Sequence, residues 1–264
     1  MTGTTLRFLI AVAWTALAGC AAQGGSTDSA LKPSTAPIGE ESADRMRARV
    51  HTELASSYFE LGNMSVALEE AKEAVRSDGN YGPAHNVSGL VYGALKEDRL
   101  AEESFQRALR LNQFDSDANH NYGQFLCQRG REEEGIQHFL AAVRNPLYQS
   151  PDRSYVNAGV CARRRGDMAG AEDYFQQALK RRPSQPQALY NMADISFTRG
   201  DFAAARNYLA RLTKVTVPNA EVLWLGVRVE RRMGDGNSEA SYAMQLRKNF
   251  PDSKEARALA SGEN

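Results

Sequence analysis

Three cysteines and four histidines are the residues of this sequence with the most distinctive chemistry. A metal site needs several such ligands at close spacing, as in His-Glu-x-x-His or Cys-x-x-Cys, and neither pattern occurs. The histidines are instead far apart, at His51, His85, His120 and His138. The chain also has no Gly-x-Ser-x-Gly nucleophile motif and no glycine-rich phosphate loop. The sequence therefore predicts no catalytic residue, no metal site and no cofactor, and the chain is not expected to be an enzyme.

Cys20 stands directly after a short apolar run, residues 8–17, which follows a single positive charge at Arg7. The run is too short to span a bilayer as a helix and has the length of the apolar core of a secretion signal. Ala18 and Gly19 lead into Cys20, and this junction resembles the lipobox of bacterial lipoproteins. The resemblance implies that residues 1–19 are removed and that Cys20 carries the lipid. An ordinary signal peptide that happens to contain a cysteine is the alternative.

Residues 20–43 are rich in Gly, Ser, Thr, Pro and Ala and contain almost no large apolar side chain. Such a composition cannot bury enough surface to order itself, so we expect a flexible linker attached to the lipid. In lipoproteins of this type an acidic residue after the cysteine implies retention at the inner membrane. Ala21 therefore favours the outer membrane.

The rest of the chain, residues 44–264, is organised by a period of about 34 residues, which is that of tetratricopeptide repeats. We predict an all-α superhelix of about six helix-turn-helix repeats, each with a helix A and a helix B. Their approximate limits are 48–81, 82–115, 116–149, 152–185, 186–219 and 220–251. Arrays of this kind present extended surfaces that bind other proteins.

Three columns of small residues and one of bulky residues define the packing of each repeat. A small residue in helix A, such as Gly159, is expected where helix B crosses closely, and Phe175 illustrates the bulky column facing it. Glycine ends helix A in several repeats, because it adopts the left-handed conformation without penalty. The second repeat departs from this pattern and carries Lys96 at the turn position.

Cys127 and Cys161 fall on the A helices of repeats three and four. An oxidising compartment would permit a disulfide, but the two cysteines occupy columns that differ by two positions, and Cα atoms more than about 7 Å apart cannot be bridged. From the columns alone we expect two small, partly buried thiols rather than a bridge.

The A helices are expected to line the concave face, where a protein partner would bind. The outward columns of the first three repeats predict a partner-binding surface made of Thr52, Ser56, Phe59, Asn86, Leu90, His120 and Gln124. Phe59 and Leu90 stand in neighbouring columns and could form an apolar anchor, the kind of contact that dominates interface energetics. Packing of Phe59 against the N-terminal segment or Met46 is the alternative.

Net charge excludes one class of partner. The chain carries 32 basic and 32 acidic residues, so its formal net charge is zero and it lacks the basic excess of a nucleic-acid-binding protein. Neither nucleic acid nor a small-molecule substrate is expected as a partner.

One segment of repeat three narrows the choice among repeat-containing lipoproteins. Residues 119–127, Asn-His-Asn-Tyr-Gly-Gln-Phe-Leu-Cys, resemble the Asn-Asn-Tyr-Gly-x-Phe-Leu segment of the type IV pilus biogenesis and stability lipoproteins. The resemblance continues at residues 147–148, 157–159 and 192–194 and in the C-terminal block 240–251. Cys127 departs from the family, whose members often have an aromatic residue there.

Members of that family are six-repeat pilotins, and the resemblance implies their role here. The chain is then expected to be a lipid-anchored protein of the outer membrane that faces the periplasm. It would bind subunits of the pilus secretin and promote their localisation and multimerisation in the outer membrane. A lipoprotein scaffold serving β-barrel assembly or peptidoglycan enzymes is the alternative function.

Overall fold

A computed structural model describes residues 41–262, and these residues form thirteen α-helices and no strand. The predicted signal peptide, the lipid site at Cys20 and the linker as far as residue 40 lie outside the described residues. The helices are α1 Ala43–Glu60, α2 Met64–Ser77, α3 Gly82–Ala94, α4 Asp98–Leu111, α5 Ser116–Gln128, α6 Glu132–Ala142, α7 Pro151–Arg164, α8 Met168–Arg181, α9 Pro186–Arg199, α10 Phe202–Val215, α11 Ala220–Met233, α12 Gly236–Asn249 and α13 Lys254–Ser261.

The first twelve helices pair into six consecutive A–B hairpins, which confirms the predicted all-α tetratricopeptide architecture. Odd-numbered helices from α1 to α11 are the A helices, and even-numbered helices from α2 to α12 are the B helices. Each helix packs most closely on its hairpin partner and next on the following hairpin, so the core runs as a continuous band between the two helix layers. Helix α13 packs on α11 and α12 and closes the stack.

Local signals explain where the helices begin and end. Side-chain caps open many of the B helices, as where Asp167 Oδ1 accepts the backbone N–H of Gly170 at 2.8 Å. Ser253 caps α13 in the same way, accepting from Ala256 N at 3.1 Å. Pro183 and Pro251 follow the ends of α8 and α12 and stop both helices.

Every turn from helix A to helix B passes through one residue in the left-handed region. Glycine occupies that position in five of the six hairpins of the described chain, at Gly62, Gly130, Gly166, Gly200 and Gly234. Lys96 occupies it in repeat two, with φ of 64°. The turn geometry is therefore imposed by the two flanking helices and survives without the glycine that favours it.

Glycines in helix A make room for the bulky ring of helix B. A Cβ atom on Gly159 would lie 2.6 Å from the ring of Phe175, which is fully buried. In repeat three the helices cross at Gly123 and Gly135, where a Cβ on either residue would lie 2.8 Å from the carbonyl oxygen of the other. Gly135 stands where α2, α4, α8 and α10 carry alanine, and its missing Cβ allows α5 and α6 to cross closely.

Repeats three and four are joined by a disulfide between Cys127 and Cys161, so the expectation of two thiols was wrong. Their Cα atoms are 5.9 Å apart, within bridging range. The A helices α5 and α7 contact each other through columns displaced by two positions, and His120 and Ser154 show the same displacement. The two residues inserted before repeat four cancel this displacement, so residues 34 apart meet.

None of the described helices combines the length and the apolar character that crossing a membrane requires. This finding concerns residues 41–262 alone.

Candidate functional site

A groove runs along the A helices from repeat one to repeat six. It consists of four adjoining sections of about 240, 190, 710 and 360 Å³. Neighbouring sections share lining residues: Gln124 joins the first two, Val160 the second and third, and Tyr190 the third and fourth. We call this continuous surface the A-helix groove.

The ninth position of the repeats contributes to the lining of every section. Counted from the repeat starts given above, these residues are Ser56, Leu90, Gln124, Val160, Asp194 and Arg228. All are at least partly accessible, and the last five line the A-helix groove. The repeat period brings the ninth position to an equivalent place on each A helix. These side chains therefore form one row along the array.

Three of the seven predicted partner-binding side chains are buried instead of lining the groove. Thr52, Asn86 and His120 are 6%, 8% and 5% exposed and share the fifth position of their repeats. Asn86 Oδ1 accepts from Asn121 Nδ2 at 3.1 Å, and His120 Nδ1 lies 2.7 Å from Ser154 Oγ. In repeats two and three, therefore, this position bonds to the next A helix rather than to an outside partner.

The other four predicted residues remain accessible, and three of them come together. Phe59, Leu90 and Gln124 line the first section of the groove, contributed by α1, α3 and α5. Phe59 and Leu90 are each half-buried, so both pack on the core while keeping an accessible face. Ser56 is half-buried on α1.

The first section is apolar with a neutral polar rim. Phe59 packs against the cluster of Ala55, Val87 and Val91, and not against Met46, which is itself 48% exposed. Leu90 packs on the cluster that contains Phe105 and Phe125. The amide side chains of Asn121, Gln124 and Gln128 complete the lining and can each donate and accept hydrogen bonds. This section suits an apolar side chain on a segment whose backbone bonds to amides.

The half of the groove formed by repeats four to six adds charged side chains to a lining that also includes Val160, Leu212 and Val217. Its residues in repeats five and six were not among the predicted partner-binding side chains. Arg163 donates to Asp194 Oδ2 at 2.8 Å and to Asn191 Oδ1 at 2.7 Å, which ties α7 to α9. Tyr190, Glu221, Trp224 and Arg228 line the remainder. Extending the fifth and ninth columns by further steps of 34 residues would have identified Tyr190, Asp194, Trp224 and Arg228.

Two environments in this half alter side-chain chemistry. Burial, followed by the nearby carboxylates of Asp194 and Glu221, raises the pKa of the Tyr190 hydroxyl, so this phenol stays protonated and can donate. The guanidinium carbon of Arg228 lies 4.2 Å from the centre of the Phe197 ring. Its Nε is buried and has no hydrogen-bond partner among the described residues. The charge of Arg228 is thus held over an aromatic face at the edge of the groove.

The contact between His120 and Ser154 is structural and not a nucleophile–base pair. Ser154 is fully buried, so no substrate can reach its hydroxyl, and Tyr148 Oη lies 3.3 Å from Ser154 Oγ on its other side. Burial, and secondarily the charge of Arg153, lowers the pKa of His120 to about 4, which keeps the imidazole neutral at neutral pH. Within residues 41–262 no cluster of histidine, cysteine or carboxylate side chains could hold a metal ion.

Family models of the tetratricopeptide repeat match three parts of the chain, at residues 48–81, 87–150 and 162–223. The type IV pilus assembly protein PilF of Pseudomonas aeruginosa is 29% identical over 250 residues, covering 95% of this chain and 94% of the relative. A shorter Haemophilus influenzae protein is 28% identical over 134 residues, covering 51% of this chain and 73% of its own length.

Two solved structures are similar over most of the described chain. The structure of Pseudomonas aeruginosa PilF matches with a TM-score of 0.77 and 27% identity, covering 84% of this chain and 100% of that one. The structure of PilW, a widely conserved type IV pilus biogenesis factor, matches with a TM-score of 0.71 and 30% identity, covering 81% and 98%. MamA, at 16% identity and a TM-score of 0.53, shares the fold.

Proposed function

Since this chain belongs to the family of tetratricopeptide-repeat proteins that includes PilF and PilW of type IV pilus biogenesis, we propose that it is a pilotin that binds secretin subunits. In this proposal the protein is a lipoprotein of the outer membrane that faces the periplasm. It brings secretin subunits to that membrane and promotes their assembly into multimers. The extent of the similarity, which spans nearly the whole length of PilF, supports a role in pilus biogenesis.

The observation that carries the binding proposal is the first section of the A-helix groove. Phe59 and Leu90 offer an apolar anchor there, and Gln124 offers an amide beside it. An extended or helical secretin segment can place one apolar side chain against the pair and bond its backbone to the amide. Truncation of a buried apolar anchor of this kind typically costs more than 1 kcal/mol of binding free energy.

In this mechanism the lipid attached at Cys20 targets the protein to the outer membrane. Several acyl chains anchor a protein stably, because each buried methylene contributes about 0.8 kcal/mol. A secretin subunit bound in the groove then travels with the anchored protein, and subunits gathered on one membrane meet at a raised effective concentration.

Substitution in the groove tests the binding proposal directly. Leu90→Asp places a charge in the apolar section and is expected to weaken secretin binding at least tenfold in a purified two-component assay. Leu61→Asp is the matched control, because Leu61 is 79% exposed in the turn after α1 and does not line the groove. Equal affinities for the two variants would contradict the assignment of the groove.

Deletion of the chain in its own cell tests the wider role. We expect heat-resistant secretin multimers to disappear from outer-membrane fractions on deletion, and to be mislocalised when the rescuing copy carries Cys20→Ala. Normal multimers and normal twitching after deletion would overturn the pilotin role. Normal multimers with Cys20→Ala alone would overturn only the role of the lipid.

A further inference from the structure

One edge of the array carries an excess of positive charge, and it adjoins the groove, which Val217 and Lys254 also line. It is formed by the connections from helix B to the next helix A, in the windows 144–151, 180–187, 214–221 and 247–254. These windows contain eight lysines and arginines against two acidic residues, Glu221 and Asp252. We call these four segments the basic edge.

Contacts between neighbouring segments make the basic edge continuous. Gln185 Nε2 donates to Asp152 Oδ2 at 2.8 Å, which joins the second segment to the helix that follows the first. Arg211 Nη2 donates to the carbonyl oxygen of Pro183 at 2.9 Å and ties the end of α10 to the second segment. Glu221 and Lys254 line one section of the groove and bring the third and fourth segments together.

Complementing the helix dipoles does not explain this charge. Cations do favour helix C-termini, but the equivalent windows of repeats one and two, 76–83 and 110–117, hold only two cations against three acidic residues. The excess is therefore specific to the connections that follow repeats three, four and six, whereas the window after repeat five is neutral.

Most of the cations on the basic edge point into solvent without a partner. The side chains of Lys180, Arg181, Lys214, Arg247 and Lys248 are exposed and form no ion pair within residues 41–262. Arg182, by contrast, lies 3.4 Å from the buried carboxylate of Asp152. Five unpaired cations along one edge create a field that attracts a negatively charged surface.

Exposed aliphatic side chains accompany these cations. Leu147 is 78% exposed in the first segment, and Val217 is 88% exposed in the third, between Lys214 and Pro218. Side chains that project from loops beside unpaired cations match the chemistry of a membrane interface, where charge meets the headgroups and apolar groups enter the boundary of the acyl chains. An acidic protein surface would use the cations but would leave these two side chains in water.

We propose that the basic edge binds the surface of an anionic lipid bilayer, with Leu147 and Val217 at the level of the headgroups. This contact would fix the orientation of the array on the membrane and leave the first section of the groove, around Phe59 and Leu90, free for a partner. Each basic residue close to an anionic lipid surface strengthens binding about fivefold, so the edge supplies a substantial but salt-sensitive attraction.

Quenching by brominated lipids tests the proposal on the full mature chain and without any secretin. Val217→Trp is expected to be quenched in vesicles of brominated phosphatidylglycerol and phosphatidylcholine, and less so in 0.5 M salt or in phosphatidylcholine alone. The baseline is the mature chain with Cys20→Ala, which carries no lipid and keeps Trp224, and all variants are made in this background. Leu61→Trp is the matched control, because Leu61 is also highly exposed but lies in an A-to-B turn on the opposite edge.

Removing two positive charges from the basic edge distinguishes binding through this edge from a nonspecific electrostatic attraction between the protein and the vesicle. In the Val217→Trp chain, Arg181→Gln with Lys214→Gln is expected to lower the apparent affinity for the anionic vesicles about 25-fold, at fivefold for each charge. Lys96→Gln with Arg99→Gln removes the same charge elsewhere and is expected to change the affinity less than threefold.

Two results would overturn the membrane proposal. Equal quenching at positions 61 and 217 would mean that the array has no preferred edge toward the bilayer. If the edge variants bind vesicles normally but lose affinity for a purified pilus protein, the basic edge is a protein interface and not a lipid contact.

Discussion

Two junctions of the array are built on different principles. Repeats three and four are joined by the Cys127–Cys161 disulfide and by the buried pair of His120 and Ser154. Repeats five and six are joined by an apolar cluster that includes Leu209 and Leu225, both at most 2% exposed, together with the ion pair of Arg206 and Glu230. Both junctions bury apolar side chains, as Phe139 and Val156 do between repeats three and four, but only the first adds a covalent bond.

The difference follows from the residues available at each junction. Cysteines face each other across α5 and α7, whereas repeats five and six contain no cysteine. Stability of a repeat array is roughly a sum of repeat and nearest-neighbour terms, so each junction can be strengthened or broken separately. The following substitutions test that independence.

Loss of the disulfide is expected to have the largest effect. Cys127→Ser with Cys161→Ser opens a loop of 34 residues and should lower the free energy of unfolding by about 3–4 kcal/mol. Denaturant titration measures the change, and hydrogen exchange should show that repeats one to three open separately from repeats four to six. Reduction of the unmodified chain should reproduce the loss, whereas the double variant should not respond to reductant. A loss below 1 kcal/mol would mean that the noncovalent contacts between repeats three and four are enough to hold this junction together.

Truncation of Leu225 tests the apolar junction. Leu225→Ala removes a side chain that is 2% exposed and should cost about 3 kcal/mol, because a cavity is left in the cluster. Val217→Ala in the adjacent connection is the control, since that side chain is 88% exposed and its loss should change stability by less than about 0.5 kcal/mol. If reduction of the disulfide altered the cost of Leu225→Ala, the two junctions would be coupled.

Acid is expected to weaken the polar junction selectively. The pKa of His120 is lowered to about 4 by burial, below its ordinary value of 6.5, so the unfolded chain binds a proton more readily than the folded chain. The contribution of neutral His120 to the free energy of unfolding is fully present above pH 6.5. It is lost as the pH falls to about 4, by roughly 3 kcal/mol at most. Burial lowers the pKa of His138 as well, which adds to the same trend.

Unfolding curves between pH 7 and 4 measure this slope. The variant His120→Gln lacks the titrating group, so its stability should depend less on pH over the same range even though the variant is less stable at pH 7. An unchanged slope would mean that His120 does not titrate as the buried site requires.

Lys96→Gly is expected to have the smallest effect and lies outside both junctions. It relieves a left-handed φ of 64° and should stabilise the chain by about 0.5–1 kcal/mol. Lys72→Gly, in the interior of α2, should instead destabilise by about 1 kcal/mol. Thermal unfolding of these two variants distinguishes the relief of backbone strain in the turn from a general effect of glycine. A loss of stability in both variants would contradict the presence of strain at Lys96.

The repeat architecture could be predicted because every column repeats the same packing problem. Small residues such as Gly159 recur where helices cross, and caps and prolines mark the ends of helices. Phe59 and Leu90 were placed together for the same reason, since both follow from the period. The packing columns can be predicted because they depend on contacts within one hairpin, whereas the pairing of Phe59 with Leu90, on neighbouring hairpins, follows from the period alone.

Features that depend on how one repeat rotates against the next could not be predicted in this way. The disulfide was missed because the displacement of α7 along α5 is not visible in the columns. His120 and Asn86 were placed on the outer surface, although each bonds to the following A helix. The rotation between two repeats is set by the side chains of both together, so the residues of a single column do not predict it.

The disulfide also limits how far the chain can extend when it is pulled. A force applied between the N-terminal end of the chain and its last repeats would act across this bond. The 34-residue segment between Cys127 and Cys161 cannot extend under that load, so the oxidised chain reaches a fully stretched length about 110 Å shorter than the reduced chain. Oxidation thus limits how far the last repeats can be drawn away from the N-terminal end of the chain.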